Sequence, residues 1–340
     1  MTEKKIKKFS AQLPEEGEVK IIEALNNAEG FVSGNALAEI IGLSRTSVHT
    51  KIESLKNTGF KIDAVTNKGY VLRKLPRKIN PHLLALLGCS LPKDFKLRYY
   101  PKIDSTNEEA ERQLSAGLEP PFAIIAEKQT KGKGRLGRKW QSESSKNLYC
   151  SVLFAPNTAP QKLQKFTLWA GIEICQTLKD YTDGLPIKIK WPNDLYCNGK
   201  KLSGMLTEAR IDADRIHTLV LGIGLNVNSR VQTMPDTIKS LATSLKEETQ
   251  TDHPLNEITI RIIEAIIAAY ERCLQEDPRD SLPEAWQAHD YLEGKPVVIT
   301  ENGCTLKGKA EGINEYGALQ LKTKDGTVHS IHSGDATLRR

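Results

Sequence analysis

From residue 18 to residue 59 the apolar positions recur at helical spacing, and glycines cut them into three short runs. In EVKIIEALNNAEG, Val19, Ile22 and Leu25 fall on one helical face, and Gly30 predicts the stop. Ser33 is placed to cap a second helix, GNALAEIIG, ended by Gly42. Ser44 is placed to cap a third, RTSVHTKIESLKNTG, ended by Gly59. The third helix turns Val48, Ile52 and Leu55 inward, which leaves Arg45, Thr46, Ser47, His49, Thr50 and Lys51 near an exposed N-terminal half. Two short strands then flank Asn67-Lys68-Gly69 and predict a hairpin with cations at Lys68, Arg73 and Lys74.

Helix, glycine turn, capped helix and basic hairpin together resemble the winged helix-turn-helix family. In that arrangement the third helix meets base edges and phosphates, so Ser33, Ser44, Arg45, Thr46, Ser47, His49, Thr50, Lys51 and Lys68 are the candidate DNA-binding residues. A helix-turn-helix kept for protein contacts would show a similar solvated face. LPRKINPHLL, with two prolines, reads as a linker into a short helix.

Beyond it the periodicity alternates without a regular strand-helix-strand repeat, which predicts an α+β domain with a mixed sheet. LRYYPKID starts with a strand, and Asp104-Ser105-Thr106-Asn107 offers N-caps for the helix that follows; capping alone accounts for that stretch. FAIIA and NLYCSVLF read as strands, and KLQKFTLWAGIEICQTLKDY as a helix with Phe166, Ala170, Ile174 and Leu178 on one face. Two strands, Ile187 to Lys190 and Lys201 to Glu208, flank a turn at Asn198-Gly199, with Trp191-Pro192-Asn193-Asp194 as a corner. TLVLGIGLNVN reads as a buried strand whose Gly222 and Gly224 permit close backbone approach, with Asn226 at its end. LNEITIRIIEAIIAAYERCLQ has an apolar face rich enough to pack across the sheet. The last 46 or so residues form a run of short strands with turns at Asn302-Gly303 and Asp325-Gly326, as in a small β-barrel.

Composition narrows the class. At 340 residues, 39% hydrophobic and 26% charged, the chain has room for two or three domains of ordinary globular make-up. No apolar run approaches the ~20 residues of a membrane helix, and MTEKKIKKFS has no apolar stretch behind it, so a cytoplasmic protein is expected. Six scattered cysteines without a C-x-x-C pair, and seven histidines without H-x-x-x-H, argue against a structural metal or a disulfide framework. A net charge of +6 permits nucleic-acid binding without requiring it.

The candidate chemistry centres on FAIIAEKQTKGKGRLGRKW, residues 122–140. Gly132, Gly134 and Gly137 alternate with Lys133, Arg135, Arg138 and Lys139, and Trp140 closes the run. Glycines admit a ligand close to the backbone, and the cations attract an anion to it. The spacing also satisfies G-x-G-x-x-G, but RKWQSESSKNL has no apolar helical stripe, so the dinucleotide fold is excluded. Arg138-Lys139 stands where a phosphate loop needs Lys-Ser/Thr, and no kinase H-R-D or D-F-G follows. A solvated basic turn is the plain alternative.

KGKGRLGRKW, KWPNDLYCNGKKLSG and GIGLN, in that order behind a winged helix, resemble the biotin protein ligases of the bifunctional bacterial kind, ligase and biotin-operon repressor in one chain. The resemblance runs from about Glu18 to Arg339. It implies a winged helix over 1–76, a catalytic mixed sheet of the biotin/lipoate ligase type over 80–280, and an SH3-like barrel over 290–340. It implies biotin-binding residues Ser105, Thr106, Asn107, Gln129, Gly132, Lys133, Gly134, Arg135, Lys201, Gly222 and Gly224. It implies ATP or adenylate contacts from Arg135, Arg138, Trp140, Asn193, Asp194, Lys201, Asn226 and Arg339, with Lys201, Arg135 and Arg138 catalytic. The family loop usually reads Gly-Arg-Gly-Arg; here Lys133 keeps the charge but lacks the planar fork. The implied reaction joins biotin to a lysine of biotin carboxyl carrier protein through biotinyl-5′-AMP. ATP comes with Mg²⁺ near Asp194, without a protein-only metal cage. Operator DNA and a homodimer promoted by biotinyl-AMP complete the expectation. A lipoate or octanoate ligase, a ligand-sensing repressor without catalysis, and a ligase whose winged helix reads no operator are the alternatives.

Overall fold

The computed structural model describes residues 11, 13–142, 144–212, 214–275, 277, 279–301 and 304–338. The basic N-terminal decapeptide, the Asn302-Gly303 turn and Arg339 lie outside the described residues.

The N-terminal unit comprises α1 (Glu16–Asn27), α2 (Gly34–Ile41), α3 (Arg45–Asn57) and a hairpin of β1 (Lys61–Val65) and β2 (Gly69–Lys74). Ser33 Oγ accepts from the Ala36 N–H at 3.1 Å and Ser44 Oγ from the Ser47 N–H at 3.2 Å, so both predicted caps close their helices. Gly42 ends α2 in the left-handed conformation (φ 68°). Val48, Ile52 and Leu55 form the core with Ile21, Ile22 and Leu37. The first helix departs from expectation: it ends at Asn27, before Gly30, and Ile21 rather than Val19 is buried. Beyond the helix, Val32 is drawn to the wing by an isolated β-bridge to Tyr70, with two 2.8 Å backbone bonds, beside the two-stranded hairpin.

The connection into the next unit is short and pinned. Asn80 caps α4 (Pro81–Leu87) by accepting from the His82 N–H at 2.9 Å. It also donates to Thr58 O at 3.1 Å, while its backbone N–H donates to Asn256 Oδ1 at 2.8 Å. His82 Nε2 meets Glu18 at 2.6 Å, both buried. Leu83 belongs to the winged-helix core and Leu84 to the central core, so α4 is shared by both.

The central unit contains β3 (Lys96–Tyr100), α5 (Thr106–Ser115), β4 (Phe122–Ala126), β5 (Leu148–Phe154), α6 (Pro160–Leu163), α7 (Phe166–Tyr181), β6 (Ile187–Lys190), β7 (Asp194–Cys197), β8 (Lys200–Asp212) and β9 (Arg215–Leu225). The short α8 (Asp236–Lys239) and α9 (Leu245–Thr249) precede α10 (Leu255–Gln275) and α11 (Leu282–Gln287). Seven strands form one mixed sheet in the order β3-β4-β5-β9-β8-β7-β6, with β3 parallel to β4 and the rest antiparallel. Strand β4 shows why the sheet is covered twice. Phe122 and Ile124 face the cluster around α5, while Ala123 and Ile125 face the large core beneath α7 and α10. Two details differ from expectation. The long apolar helix breaks between α6 and α7, and the Trp-Pro-Asn-Asp corner leads into the separate strand β7. Leu195 and Cys197 alternate into the core, which makes those four residues a strand; Asn198-Gly199 then joins β7 to β8.

The C-terminal unit is β10 (Pro296–Glu301), β11 (Cys304–Ile313), β12 (Leu319–Lys322), β13 (Val328–Ile331) and β14 (Asp335–Leu338). They form an antiparallel five-stranded sheet ordered β13-β12-β11-β10-β14. Asp325-Gly326 turns between β12 and β13 as predicted. Val297, Leu319, Leu321 and Ala336 join the central core, and Trp191 Nε1 donates to Gly317 O at 3.0 Å. This packing carries Gly334 and Asp335 over the central sheet. No helix among the described residues is long and apolar enough to cross a membrane.

Candidate active site

Gly222 and Gly224 lie two apart on β9, so they present one face of the sheet. A Cβ at Gly222 would stand 2.1 Å from Asn107 Oδ1, and one at Gly224 would stand 2.3 Å from the Trp140 indole. The two glycines therefore admit those side chains against the backbone, which explains their place in an otherwise apolar strand.

Thr106 and Asn107 open α5 with Ser105 as N-cap, yet the Ser105 side chain makes no capping bond. Capping therefore does not account for it. The Thr106 N–H and hydroxyl both donate to Gln129 Oε1, at 2.7 and 3.1 Å, and Gln129 Nε2 donates to Ser142 Oγ at 3.0 Å. Asn107 Nδ2 donates to Glu208 at 2.6 Å, and Ser151 Oγ donates to Asn107 Oδ1 at 2.6 Å. These bonds fix which edges of Gln129 and Asn107 remain for a ligand. A Cβ at Gly132 would meet Ser142 Oγ at 2.5 Å, so that glycine is required by the same packing.

Ser105, Thr106, Asn107, Gln129, Gly222 and Gly224 line a narrow cavity of about 140 Å³ with Lys133, Gly134, Arg135, Asn193 and Lys201, whereas Gly132 is not in its wall. A wider cavity of about 780 Å³ adjoins it, walled by Asn226 and Tyr196 and by the chain leading into and out of α8. Trp140, Arg138, Asp194, Lys201 and Asp335 line both. Of the nucleotide set, Arg135 and Asn193 line the narrow cavity rather than the wide one. The Asn226 amide is engaged within the protein: it donates to Thr243 O at 2.9 Å and accepts from Asn147 at 3.3 Å.

The charges are arranged in opposed pairs. Lys201 Nζ lies 2.7 Å from Asp194 and 5.4 Å from the Trp140 ring. Arg138 lies 2.6 Å from Asp335, which holds the guanidinium more firmly protonated than usual. Lys133 pairs with Glu108, which raises its pKa. Arg135 donates to Asn193 Oδ1 at 3.2 Å and to Gly334 O at 3.4 Å. Burial pushes the Arg135 pKa down, opposed by Asp194 and Asp335. Lys190, in the wall of the wide cavity, is likewise pushed down by burial. The arrangement can place several cations around a phosphate, from the exposed Lys133 and Arg138 to the partly buried Arg135 and Lys201. Ser142, Ser151, Glu208, Lys190 and Asp335 were absent from the sequence-based set; Lys190 opens the KWPND motif and could have been found from it, whereas the neighbours of the other four gave no motif.

On the winged helix, Arg45, Thr46, His49 and Thr50 are exposed along α3, and Lys68 is exposed on the wing. Ser33 and Ser44 act as caps, with Ser44 Oγ also 3.0 Å from Ser47 Oγ. Lys51 is half-buried and paired with Glu15, so it is less free than its position on α3 implied. Lys68 and Arg73 both lie against the Phe31 ring, at 5.9 and 5.8 Å from its centroid.

Comparison with known proteins accords with this layout. Residues 99–226 match the biotin/lipoate A/B protein ligase family, residues 18–71 an HTH domain, and residues 294–339 the biotin protein ligase C terminal domain. The chain is 31% identical to the bifunctional ligase/repressor BirA of Bacillus subtilis (strain 168), over 94% of this chain and 97% of that protein. It is 30% identical to the bifunctional ligase/repressor BirA of Escherichia coli (strain K12), again over 94% of this chain and 97% of that protein. The biotin protein ligase from Aquifex aeolicus, solved in complex with biotin and ATP, superposes with a TM-score of 0.61 at 31% identity, covering 72% of this chain and 99% of that one. With both ends and the middle accounted for at this identity, the chain belongs to the BirA family of bifunctional ligase/repressors.

Proposed function

We propose that this protein attaches biotin to a lysine of biotin carboxyl carrier protein and, carrying the reaction intermediate, represses biotin-synthesis genes. Biotin's carboxylate attacks the α-phosphorus of ATP, the mixed anhydride biotinyl-5′-AMP forms, and pyrophosphate leaves with the bonding electron pair. The acceptor amine then attacks the acyl carbon and AMP leaves.

One observation carries the reading: Arg138, Asp194 and Lys201 stand where the narrow and wide cavities meet across Trp140. The narrow cavity suits the biotin head, with Ser105, Thr106, Asn107 and Gln129 as polar partners and Gly222 and Gly224 as its floor. The wide cavity suits the nucleotide, with Trp140 and the wall at Asn226. Arg135, Arg138 and Lys201 stabilise charge on the phosphate oxygens, and Lys201 also orients the attacking carboxylate. Among the described residues no group of three or more His, Cys, Asp or Glu could hold a metal ion. Mg²⁺ would arrive with ATP, whose phosphates would supply most of its ligands beside Asp194, and its charge would help to neutralise the leaving pyrophosphate.

The three units 1–76, 80–280 and 290–340 are proposed as DNA-binding, catalytic and closing domains of a cytoplasmic homodimer. Two copies of the recognition helix would suit a palindromic operator. The test is to supply biotin and Mg·ATP, follow pyrophosphate release, and then measure labelling of a biotin carboxyl carrier domain. Lipoate or octanoate as competitors should not displace biotin; a preference for either would replace the substrate assignment. Arg135→Gly should let biotinyl-AMP escape and label bystander proteins, whereas labelling confined to the carrier domain would remove Arg135 from the retaining clamp. Repression is tested by titrating the protein onto DNA upstream of the biotin-synthesis genes at fixed salt. Tight binding is expected only with biotin and Mg·ATP present; weak binding unchanged by both would leave a ligase without that operator.

A further inference from the structure

The connection between the winged-helix unit and the central unit, residues 75–80, ends in a buried hydrogen-bonded cluster. Each polar atom of Asn80 has a partner there. Its N–H donates to Asn256 Oδ1, and its Nδ2 donates to the carbonyl of Thr58, the residue that ends the recognition helix α3. Its Oδ1 accepts from the His82 and Leu83 N–H groups, and its carbonyl from the Leu84 N–H at 3.0 Å. Asn256, in the first turn of α10, adds a second bond to the connection: its Nδ2 donates to Lys78 O at 2.9 Å. Asn80 and Asn256 are 3% and 2% exposed, so water cannot replace these partners.

That burial makes the junction directional. Apolar contact alone is non-directional and lets two units slide, whereas moving a buried amide leaves donors and acceptors unpaired. A second strap lies beside the first. His82 Nε2 on α4 meets Glu18 on α1, both buried, and the Phe60 ring stands edge-on to the His82 ring at 6.3 Å. Leu83 packs into the winged-helix core and Leu84 into the central core, which clamps α4 from both sides. Lys51 of α3 is tied to Glu15, just ahead of α1, and so joins the recognition helix to that strap. Residues 75–80 are therefore no tether; α3 is fixed to α10, which lies in the central core.

We propose that Asn80, Asn256 and the Glu18–His82 pair are positioning residues for DNA recognition, which fix the separation and angle of two recognition helices and so the half-site spacing the protein accepts. This rests on the operator and homodimer reading above. A symmetric dimer presents its two α3 helices at one distance only if each winged helix is immobile on the rest of its chain. One helical turn of DNA takes about 10–10.5 base pairs, so each base pair placed between half-sites turns one of them by roughly 35°. Two inserted base pairs turn it by roughly 70°, which a flexible linker follows and a hydrogen-bonded junction does not.

The experiment uses the full-length protein with Asn256→Ala, which leaves the Asn80 N–H and Lys78 O without those partners, and Glu18→Ala, which cuts the second strap. Neither residue lines the narrow or the wide cavity, so pyrophosphate release and carrier labelling should be unchanged. Ligation also reports folding: if Asn256→Ala loses it, Glu18→Ala carries the test. Affinity is then measured with biotin and Mg·ATP at fixed salt for three DNAs. They are the region upstream of the biotin-synthesis genes, the same DNA with two base pairs inserted at its centre of symmetry, and a single half-site. Wild type should bind the inserted DNA at least about tenfold more weakly than the native one, the scale of a mismatched base pair. In the variant that ratio should fall towards one through weaker binding of the native DNA, while half-site affinity matches wild type.

A wild-type ratio retained by the variant overturns the inference and leaves the repressor reading intact. Half-site affinity lost along with operator affinity also overturns it, because the junction would then keep the wing folded instead of aiming it. Wild-type binding indifferent to the insertion overturns it as well. No ligand-dependent binding of the wild type to the native DNA overturns the repressor reading and this inference with it.

Discussion

In the catalytic cavity Lys201, Arg138 and Lys133 each face an acid of the same chain, at Asp194, Asp335 and Glu108. On the recognition helix Arg45 and His49 stand exposed, and the half-buried Lys51 is tied to Glu15. The difference separates two uses of positive charge. Cations that stabilise a transition state must already be aimed when charge develops, and internal carboxylates hold them there. On the proposed function, phosphate oxygens would replace Asp335 and Asp194 as partners of Arg138 and Lys201. Cations that meet a nucleic acid need no such aim. They release counterions from a polyanion, and their effect falls with salt.

The largest test of this contrast is Lys201→Gln. Adenylate formation should fall by ~100-fold or more, the scale of losing one aimed donor, with operator binding measured separately on preformed adenylate. Near-normal pyrophosphate release would remove Lys201 from the chemistry. Next is Gly224→Ala, whose methyl would overlap the Trp140 indole. Displacing that ring should raise the KM for biotin and for ATP together, by an overpacking cost of about 1–3 kcal/mol, or roughly 5- to 150-fold. A change confined to one substrate would contradict Trp140 as the wall between the cavities.

Arg45→Ala probes the other side. Ligation should be unchanged, while DNA affinity falls and the slope of log affinity against log salt drops by about 1 if the arginine meets a phosphate. An equal loss of ligation would show that the two regions are not electrostatically independent. The smallest effect concerns His289, which stands under the sheet edge with its Nδ1 3.0 Å from Lys179 Nζ. Burial, first, and then Lys179 and Lys188 push its pKa down to about 4, against roughly 6.5 in an unfolded chain. Between those values the unfolded chain binds the extra proton, so this contribution is full above about pH 6.5 and lost as pH falls through about 4. The melting temperature should therefore drop by a few degrees more over that window than in His289→Gln; parallel curves would reject the assignment.

Local chemistry was legible where neighbours in sequence are neighbours in space. Ser33 and Ser44 announced their helices because a cap acts within three residues. The glycine loop and the paired glycines of β9 were readable because a missing Cβ marks a close approach even before the approaching group is known. Strand β7 was missed because four residues give too few alternations, and its pairing with β6 and β8 decides the matter.

By itself the sequence determined three units, their order, the helical and strand periods, and the basic glycine loop, since each depends on local conformational preference or on apolar patterning. Only the tertiary structure decided what completes the site. Asp335 meets Arg138 across 197 residues, Glu208 and Ser151 aim Asn107 from different strands, and Asn256 of α10 holds the junction at Asn80. Such contacts follow from strand register and from how two sheets pack around one core, which no short stretch of sequence encodes.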